Sequence, residues 1–83
     1  MEKNIDINLN LNAEVGDVMV DNRDKTYFKV VAINQENKII LGYRYAPDAY
    51  KESAAQQERN RQADIVSLMD LVMHYKKATV KFE

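Results

Sequence analysis

One uninterrupted run of residues constrains the fold more than any other feature of this sequence. Residues 49–77 contain neither glycine nor proline, and Ala, Gln, Glu, Arg, Leu and Met dominate the run. These residue types favour helix. Asp48 is a suitable N-cap, and Ser53 with Gln56 three residues later offers a second start with capping-box spacing. The sequence therefore predicts one long helix over residues 49–76.

The two halves of this predicted helix differ in polarity. Residues 51–62 are polar all round, whereas residues 65–73 spread apolar side chains over about 220° of the helix circumference. The full helix would be about 40 Å long, which exceeds the roughly 30 Å diameter of a compact chain of this size. We therefore expect the polar half to project as an arm that meets a partner, to break into a second helix, or to stay mobile. The partner-binding residues of the arm are Arg59 and Arg61.

The wide apolar arc predicts that a second surface packs against the helix. A surface helix usually carries an apolar stripe of only about 100–140°, so one sheet face cannot cover this arc. The candidates are the same helix of another subunit and an N-terminal strand folded over it. We favour the subunit contact, which makes the chain a homo-oligomer. The expected interface residues are Ile65, Leu68, Met69, Leu71, Val72 and Met73.

The remainder of the chain carries the patterns of β-strands separated by polar turns. The predicted strands cover residues 4–11, 17–20, 26–33, 38–45 and 78–82. The first of these alternates strictly between apolar residues and Asn or Asp. Its apolar face consists of Ile5, Ile7, Leu9 and Leu11. This strand is either an edge strand of its own sheet or one that adds to the sheet of a neighbour.

The strand over residues 26–33 has apolar groups on both faces and is expected at the centre of the sheet. The segments 16–18, 27–31 and 39–42 resemble strands of small SH3-like barrels, which implies a shape rather than a function. The predicted fold class is α+β. Four or five antiparallel strands form a twisted or SH3-like barrel-type sheet, with one long helix inserted before the last strand. Residues 1–83 are expected to form a single domain, because the chain is too short for two independent cores.

Composition excludes several kinds of functional site. The chain has one histidine, no cysteine and two widely separated glycines, so neither a thiolate metal site nor a glycine-rich phosphate loop is available. Ser67, Asp70 and His74 would share one stripe of the predicted helix. Three residues on one helix face cannot supply a nucleophile, a base and oxyanion donors at the separate positions that acyl transfer needs. We therefore predict no catalytic residues, no metal and no cofactor, and we do not expect an enzyme.

The same composition bears on the compartment. A small secreted domain usually needs disulfides, so the lack of cysteine favours a reducing, cytoplasmic location. The N-terminus lacks the apolar core of a signal peptide, and residues 65–73 are about half as long as a bilayer span, so no membrane contact is expected. The net charge is −1. The whole molecule therefore has neither the basic footprint of a DNA-binding protein nor the dense acidity of a DNA mimic.

A local charge pattern provides an alternative function. If strand pairing aligns the basic positions, one sheet face carries a cationic strip beside an aromatic ring, with Gly42 as a gap in it. Such a face suits a phosphate, a nucleotide or a single-stranded nucleic acid, although exposed strand lysines also prevent edge aggregation. The residues of this alternative site are Tyr27, Lys29, Lys38, Arg44 and Lys81. In the strand predicted over residues 38–45, the residues of the opposite parity are expected in the core, namely Ile39, Leu41, Tyr43 and Tyr45.

Taken as a set, these patterns favour a non-enzymatic protein-interaction module. We expect a homo-oligomeric small regulator or inhibitor whose partner is another protein. Free-standing domains of this size without catalytic groups are often regulators, or inhibitors carried by phages and mobile elements. Binding of a nucleotide or a nucleic acid is the alternative function, and catalysis is the least favoured of the three.

Overall fold

Five antiparallel strands form one sheet in the computed structural model, which describes residues 13–79. The strands are β1 (Val18–Asp21), β2 (Tyr27–Asn34), β3 (Ile39–Tyr45), β4 (Gln62–Ser67) and β5 (Tyr75–Lys77). Their order in the sheet is β4-β3-β2-β1-β5. The antiparallel sheet of the predicted α+β class is confirmed, and β2 lies at its centre. The outer strands β4 and β5 are not paired to each other, so the described residues form an open sheet rather than a barrel.

Local hydrogen bonds explain why β1, β2 and β3 form consecutive hairpins. In the first turn, the Asp24 carboxylate accepts from the backbone N–H of Thr26 at 3.0 Å and from its hydroxyl at 2.7 Å. In the second, the Asn34 side chain accepts from the N–H of Asn37 at 3.0 Å, and Lys38 adopts a φ of 59°. Such side-chain contacts are typical of tight turns. The three strands lie within one residue of the spans predicted for them.

A β-bulge in β2 sets which side chains face which side of the sheet. Val30 pairs with Gly42 and Ala32 pairs with Leu41, so Val31 is an extra residue without a partner on β3. Val30 is buried on the face that carries Phe28, and Val31 is exposed. The bulge shifts the alternation of β2 by one residue, so Ile33 returns to the face of Phe28 and Val30, while Ala32 lies on the other face with Leu41.

The single helix predicted over residues 49–76 is wrong. This part of the chain contains a 3-10 turn (Ala49–Lys51), α1 (Ala54–Asn60), β4 and α2 (Leu68–His74). Ser53 caps α1 with the capping box that its spacing predicted. The segment 62–67 forms six residue pairs with β3, so its backbone groups are satisfied by a neighbouring strand rather than by its own helix. Pairing with β3 thus outweighs the helix propensity of this segment.

The core lies between one face of the sheet, called here the α2 face, and helix α2. Its buried members are Ala13, Met19, Phe28, Val30, Ile40, Val66, Leu71 and Tyr75. Ile33 and Leu68 pack against this cluster and are partly buried. The other side, called the opposite face, carries Leu41, Tyr43 and Ile65, since residues paired across antiparallel strands point to the same side.

Two predicted strands fall at the ends of the chain. The strand over residues 4–11 lies outside the described residues. The strand over residues 78–82 is described only at Ala78 and Thr79, which follow β5 and belong to no strand. The last strand is instead β5, which pairs with β1 through Lys77 and Met19, Lys76 and Val20, and Tyr75 and Asp21.

Candidate interaction surfaces

Helix α2 exposes three large apolar side chains on one side. The exposed fractions are 71% for Met69, 50% for Val72 and 65% for Met73. On a helix with about 3.6 residues per turn these three positions form one contiguous stripe, while Leu71 points into the core. This group of three residues is called here the α2 stripe. All three residues belong to the interface predicted from the sequence.

The other three predicted interface residues have different surroundings. Leu71 is buried in the core and Leu68 packs against it. Ile65 is exposed, but it lies on β4 and points to the opposite face, because it pairs with Leu41. The structure therefore brings Met69, Val72 and Met73 together and separates Ile65 from them.

A shallow apolar groove runs across the opposite face. It has a volume of about 490 Å³. Val31, Leu41 and Ile65 are its large apolar residues, and all three are exposed. The remaining lining residues are Gly42, Tyr43, Ala63 and Asp64. Their exposure makes the α2 stripe and this groove the two candidate interaction surfaces of the described residues.

Strand pairing separates the residues of the predicted basic site. Tyr27 and Lys29 pair with Tyr45 and Tyr43, whereas Arg44 pairs with Phe28. Arg44 therefore lies on the α2 face and Lys29 on the opposite one, so the prediction that they share a cationic strip is wrong. Lys38 lies in the β2–β3 hairpin turn, and Lys81 is outside the described residues.

The same pairing reverses the predicted parity of β3. Ile40 belongs to the core, and Leu41, which was expected there, is exposed. Tyr45 is buried as expected, and Ile39 and Tyr43 are half-buried. Gly42 leaves no gap for a ligand, because a Cβ at this position would overlap the Lys29 carbonyl oxygen and lie 2.7 Å from Cζ of Phe28.

Arg44 is held by carboxylates instead of being available to a phosphate. Its Nε donates to Oδ2 of Asp64 at 3.0 Å, and Nη1 lies 3.7 Å from Oδ2 of Asp21. Its guanidinium also lies over the rings of Phe28 and Tyr75, at 5.2 and 5.4 Å. Burial opposes the charge of Arg44, but hydrogen bonds with Tyr75 and Asp64 outweigh it and raise its pKa. The positive charge of Arg44 is thus compensated within the domain.

The predicted polar arm forms α1, and Arg61, the residue that follows α1, contacts the opposite face. Gln57 of α1 is buried, and its Nε2 donates to the carbonyl oxygens of Ala49 at 2.9 Å and Glu52 at 3.3 Å. The guanidinium of Arg61 lies 3.7 Å from the centroid of the Tyr43 ring, which is a close cation–π contact. Arg59 is exposed. Of the two arm residues, only Arg59 is therefore fully presented to solvent.

Ser67, Asp70 and His74 have structural partners. The Ser67 hydroxyl accepts from the Asp70 N–H at 3.0 Å and caps α2, while the Asp70 carboxylate binds Arg23 at 3.1 Å. His74 Nε2 is 3.9 Å from Asp70. In residues 13–79, no three His, Cys, Asp or Glu side chains are arranged to hold a metal ion. None of the helices in this same part of the chain is long and apolar enough to cross a bilayer.

The groove is the surface that sequence reasoning missed. Its members come from three strands, and the bulge, which shifts the alternation of β2 after Val31, leaves no signature in the residue types. Leu41 and Tyr43 have the parity of a core face in an isolated strand pattern. The exposed apolar side of β4 was hidden because residues 62–67 were expected to be helical.

No family model, no curated protein and no solved structure matches this chain significantly. The functional interpretation therefore depends on the surfaces described above.

Proposed function

We propose that this chain is a non-enzymatic protein-interaction module that self-associates through α2 and serves as a small cytoplasmic regulator or inhibitor of another protein. The observation that carries the proposal is the α2 stripe, formed by Met69, Val72 and Met73. Methionine is flexible and polarisable, and it is frequent at surfaces that bind proteins. Burying such side chains against a second copy removes about 1.5–3 kcal/mol of unfavourable hydration per side chain.

The charges beside the stripe support a protein contact rather than a ligand site. Asp70, on the neighbouring side of α2, is already bound to Arg23. The charge that Asp70 places at the edge of the stripe is therefore compensated, as is common where an apolar contact has a polar rim. A symmetric contact of α2 with α2 places the same apolar residues on both sides of the interface.

The test is the oligomeric state of the full chain with one charge introduced into the stripe. Met69→Asp places a carboxylate on a side chain that is exposed in the single chain, so the fold should persist. We expect wild type to form a dimer or higher oligomer and Met69→Asp to weaken association at least about tenfold, because a charge would be desolvated at the centre of the contact. Native mass spectrometry gives the number of subunits, and analytical ultracentrifugation over a range of concentrations gives the association constant of wild type and variant.

Ile65→Asp is the matched control. Ile65 is also exposed and apolar, with an exposed fraction of 59%, but it lies on the opposite face. The Ile65→Asp variant should leave the association constant unchanged. Circular dichroism should show that Ile65→Asp and Met69→Asp are both folded. A monomeric wild type, or an oligomer that Met69→Asp does not affect, would disprove self-association through α2.

A further inference from the structure

The groove on the opposite face has the form of a docking site for an extended chain. Leu41 pairs directly with Ile65, and Val31 is the bulged residue beside Ala32, which is the other partner of Leu41. The three side chains therefore form a row across β2, β3 and β4, about 10 Å wide at the usual spacing of neighbouring strands. An apolar row of this kind in a shallow groove fits a segment whose side chains project to one side at regular intervals.

The described part of the chain begins on the side of the sheet away from this groove, near the bulge of β2. Ala13 is buried in the core, and Glu14 to Asp17 form a turn in which the Asp17 N–H donates to the Glu14 carbonyl at 2.9 Å. The Gly16 N–H donates to the carbonyl of Val30 at 2.8 Å, which places this turn next to Val31. Within the described residues, this edge of β2 is bonded from Tyr27 to Lys29 by β1 and at Val30 by Gly16 and Asp17, and no described strand pairs with it beyond the bulge. The edge of β2 beyond the bulge is therefore open to a chain that passes from Ala13 to the opposite face.

The twelve residues that precede Ala13 have the chemistry that the groove requires. Apolar side chains occupy alternate positions from Ile5 to Leu11, with Asn or Asp between them. In an extended chain this places every apolar group on one side and every polar group on the other. Twelve extended residues reach up to about 40 Å, so the segment is long enough to cross all three strands of the groove.

The α2 stripe fits this segment less well. Met69, Val72 and Met73 lie on the convex surface of one helix and span only about 6 Å along it. The groove instead offers a concave surface with side chains from three strands.

We propose that residues 5–11 bind in the groove of their own molecule as an extended segment. Ile5, Ile7 and Leu9 contact the row formed by Val31, Leu41 and Ile65, while the asparagines between them face solvent. The segment covers the second apolar surface of the sheet and leaves the α2 stripe to the partner. This contact is independent of self-association through α2.

Paired cysteines in the full-length chain test the contact directly, because the natural sequence has no cysteine. Ile7→Cys combined with Leu41→Cys should form a disulfide within one molecule in most of the protein after mild oxidation. A disulfide requires Cα atoms within about 7 Å, so the bond reports the proposed contact. Non-reducing electrophoresis and intact-mass spectrometry give the yield and distinguish bonds within a molecule from bonds between molecules. Ile7→Cys with Ile65→Cys is a second groove pair, should Leu41→Cys disturb the fold.

Two control pairs define the outcomes. Asn8→Cys with Leu41→Cys should react at least about fivefold less, because neighbouring residues of an extended segment point to opposite sides. Ile7→Cys with Met69→Cys should react as weakly. Equal yields for Ile7 and Asn8, a higher yield with Met69, or bonds formed mainly between molecules would each overturn the proposal. Met69→Asp should leave the yield of the groove pair unchanged, whether or not it disrupts the oligomer.

Discussion

Asp21 is a carboxylate whose side chain is only 5% exposed, and two guanidinium groups hold it in place. Arg23 Nε donates to Oδ1 and Arg23 Nη2 donates to Oδ2, both at 2.9 Å. Arg44 approaches Oδ2 from the other side at 3.7 Å. Hydrogen bonds from Arg23 hold the pKa of Asp21 well below its ordinary value of 3.8, against the opposing effect of burial. The negative charge of Asp21 is therefore an integral part of the α2 face.

Asp21→Asn should destabilise the fold by about 2–4 kcal/mol near pH 7, because it weakens the hydrogen bonds with Arg23 and leaves the partly buried Arg44 with one carboxylate fewer. A carboxyl whose pKa is depressed by folding stabilises the protein above its unfolded-state pKa, and this contribution is lost as the pH falls through the folded-state value. The difference in unfolding free energy between wild type and Asp21→Asn should therefore stay constant down to about pH 5. Below about pH 4 it should shrink. Urea denaturation at several pH values measures it.

Asp48→Asn is the control for this experiment. Asp48 is exposed and makes no side-chain cap to the 3-10 turn that follows it. Its replacement should change the unfolding free energy by less than about 0.5 kcal/mol. A difference for Asp21→Asn that persists undiminished at about pH 2–3 would show that its effect does not come from the charge.

Gly42 is required by contact rather than by backbone conformation. An alanine Cβ would overlap the Lys29 carbonyl and the Phe28 ring, both on the central strand β2. Gly42→Ala should therefore cost about 2–3 kcal/mol, since β2 would have to move. Gly16→Ala is a matched substitution in open space at a φ of 98°, where only the backbone is strained, and should cost about 1 kcal/mol. Thermal and urea unfolding measure the loss of stability in both variants. Equal losses for Gly42→Ala and Gly16→Ala would show that the contact at Gly42 is unimportant.

At the scale of secondary-structure elements, the strands between residues 17 and 45 were predictable because their signals are local. Polar turns and β-branched runs specify β1, β2 and β3, and Ser53 with Gln56 marks the start of α1. A break into two helices was one of the outcomes expected for this run, but the strand between them was not predicted, because β4 is a strand only by virtue of its pairing with β3. Ile65 and Val66 are good strand formers, and Ser67 with Asp70 has the spacing of a helix cap. These residues do signal a boundary, but the helix formers around them mask it.

The cap at Ser67 determines where β4 ends and α2 begins. Ser67→Ala removes the hydroxyl that accepts from the Asp70 N–H and should lower the unfolding free energy by about 1 kcal/mol. Ser67→Asp restores an acceptor at the N-cap and should keep most of the wild-type stability, as measured by urea denaturation. If both variants lost the same amount, the cap would not be the source of the effect.

At the scale of the whole molecule, the candidate surfaces depend on register more than on composition. The sequence indicated Met69, Val72 and Met73 through their helical spacing, and the structure presents all three to solvent. It could not indicate that Arg44 lies on the α2 face, because the strand pairing reverses the expected parity of β3. Register is a relation between strands, and a shift of one residue moves every side chain to the other face.

The path of α2 has a consequence for the curvature of the sheet. Helix α2 joins β4 directly to β5, and these are the two outer strands. Ser67 and Tyr75 are separated by eight helical steps, or about 12 Å, whereas the outermost of five strands in a flat sheet lie about 19 Å apart. The sheet must therefore curl around α2, which agrees with the close approach of Arg44 on β3 to Tyr75 on β5. A break in α2 would release both outer strands, β4 and β5, at once. The curvature of the sheet and the cooperativity of unfolding therefore depend on the same seven residues of α2.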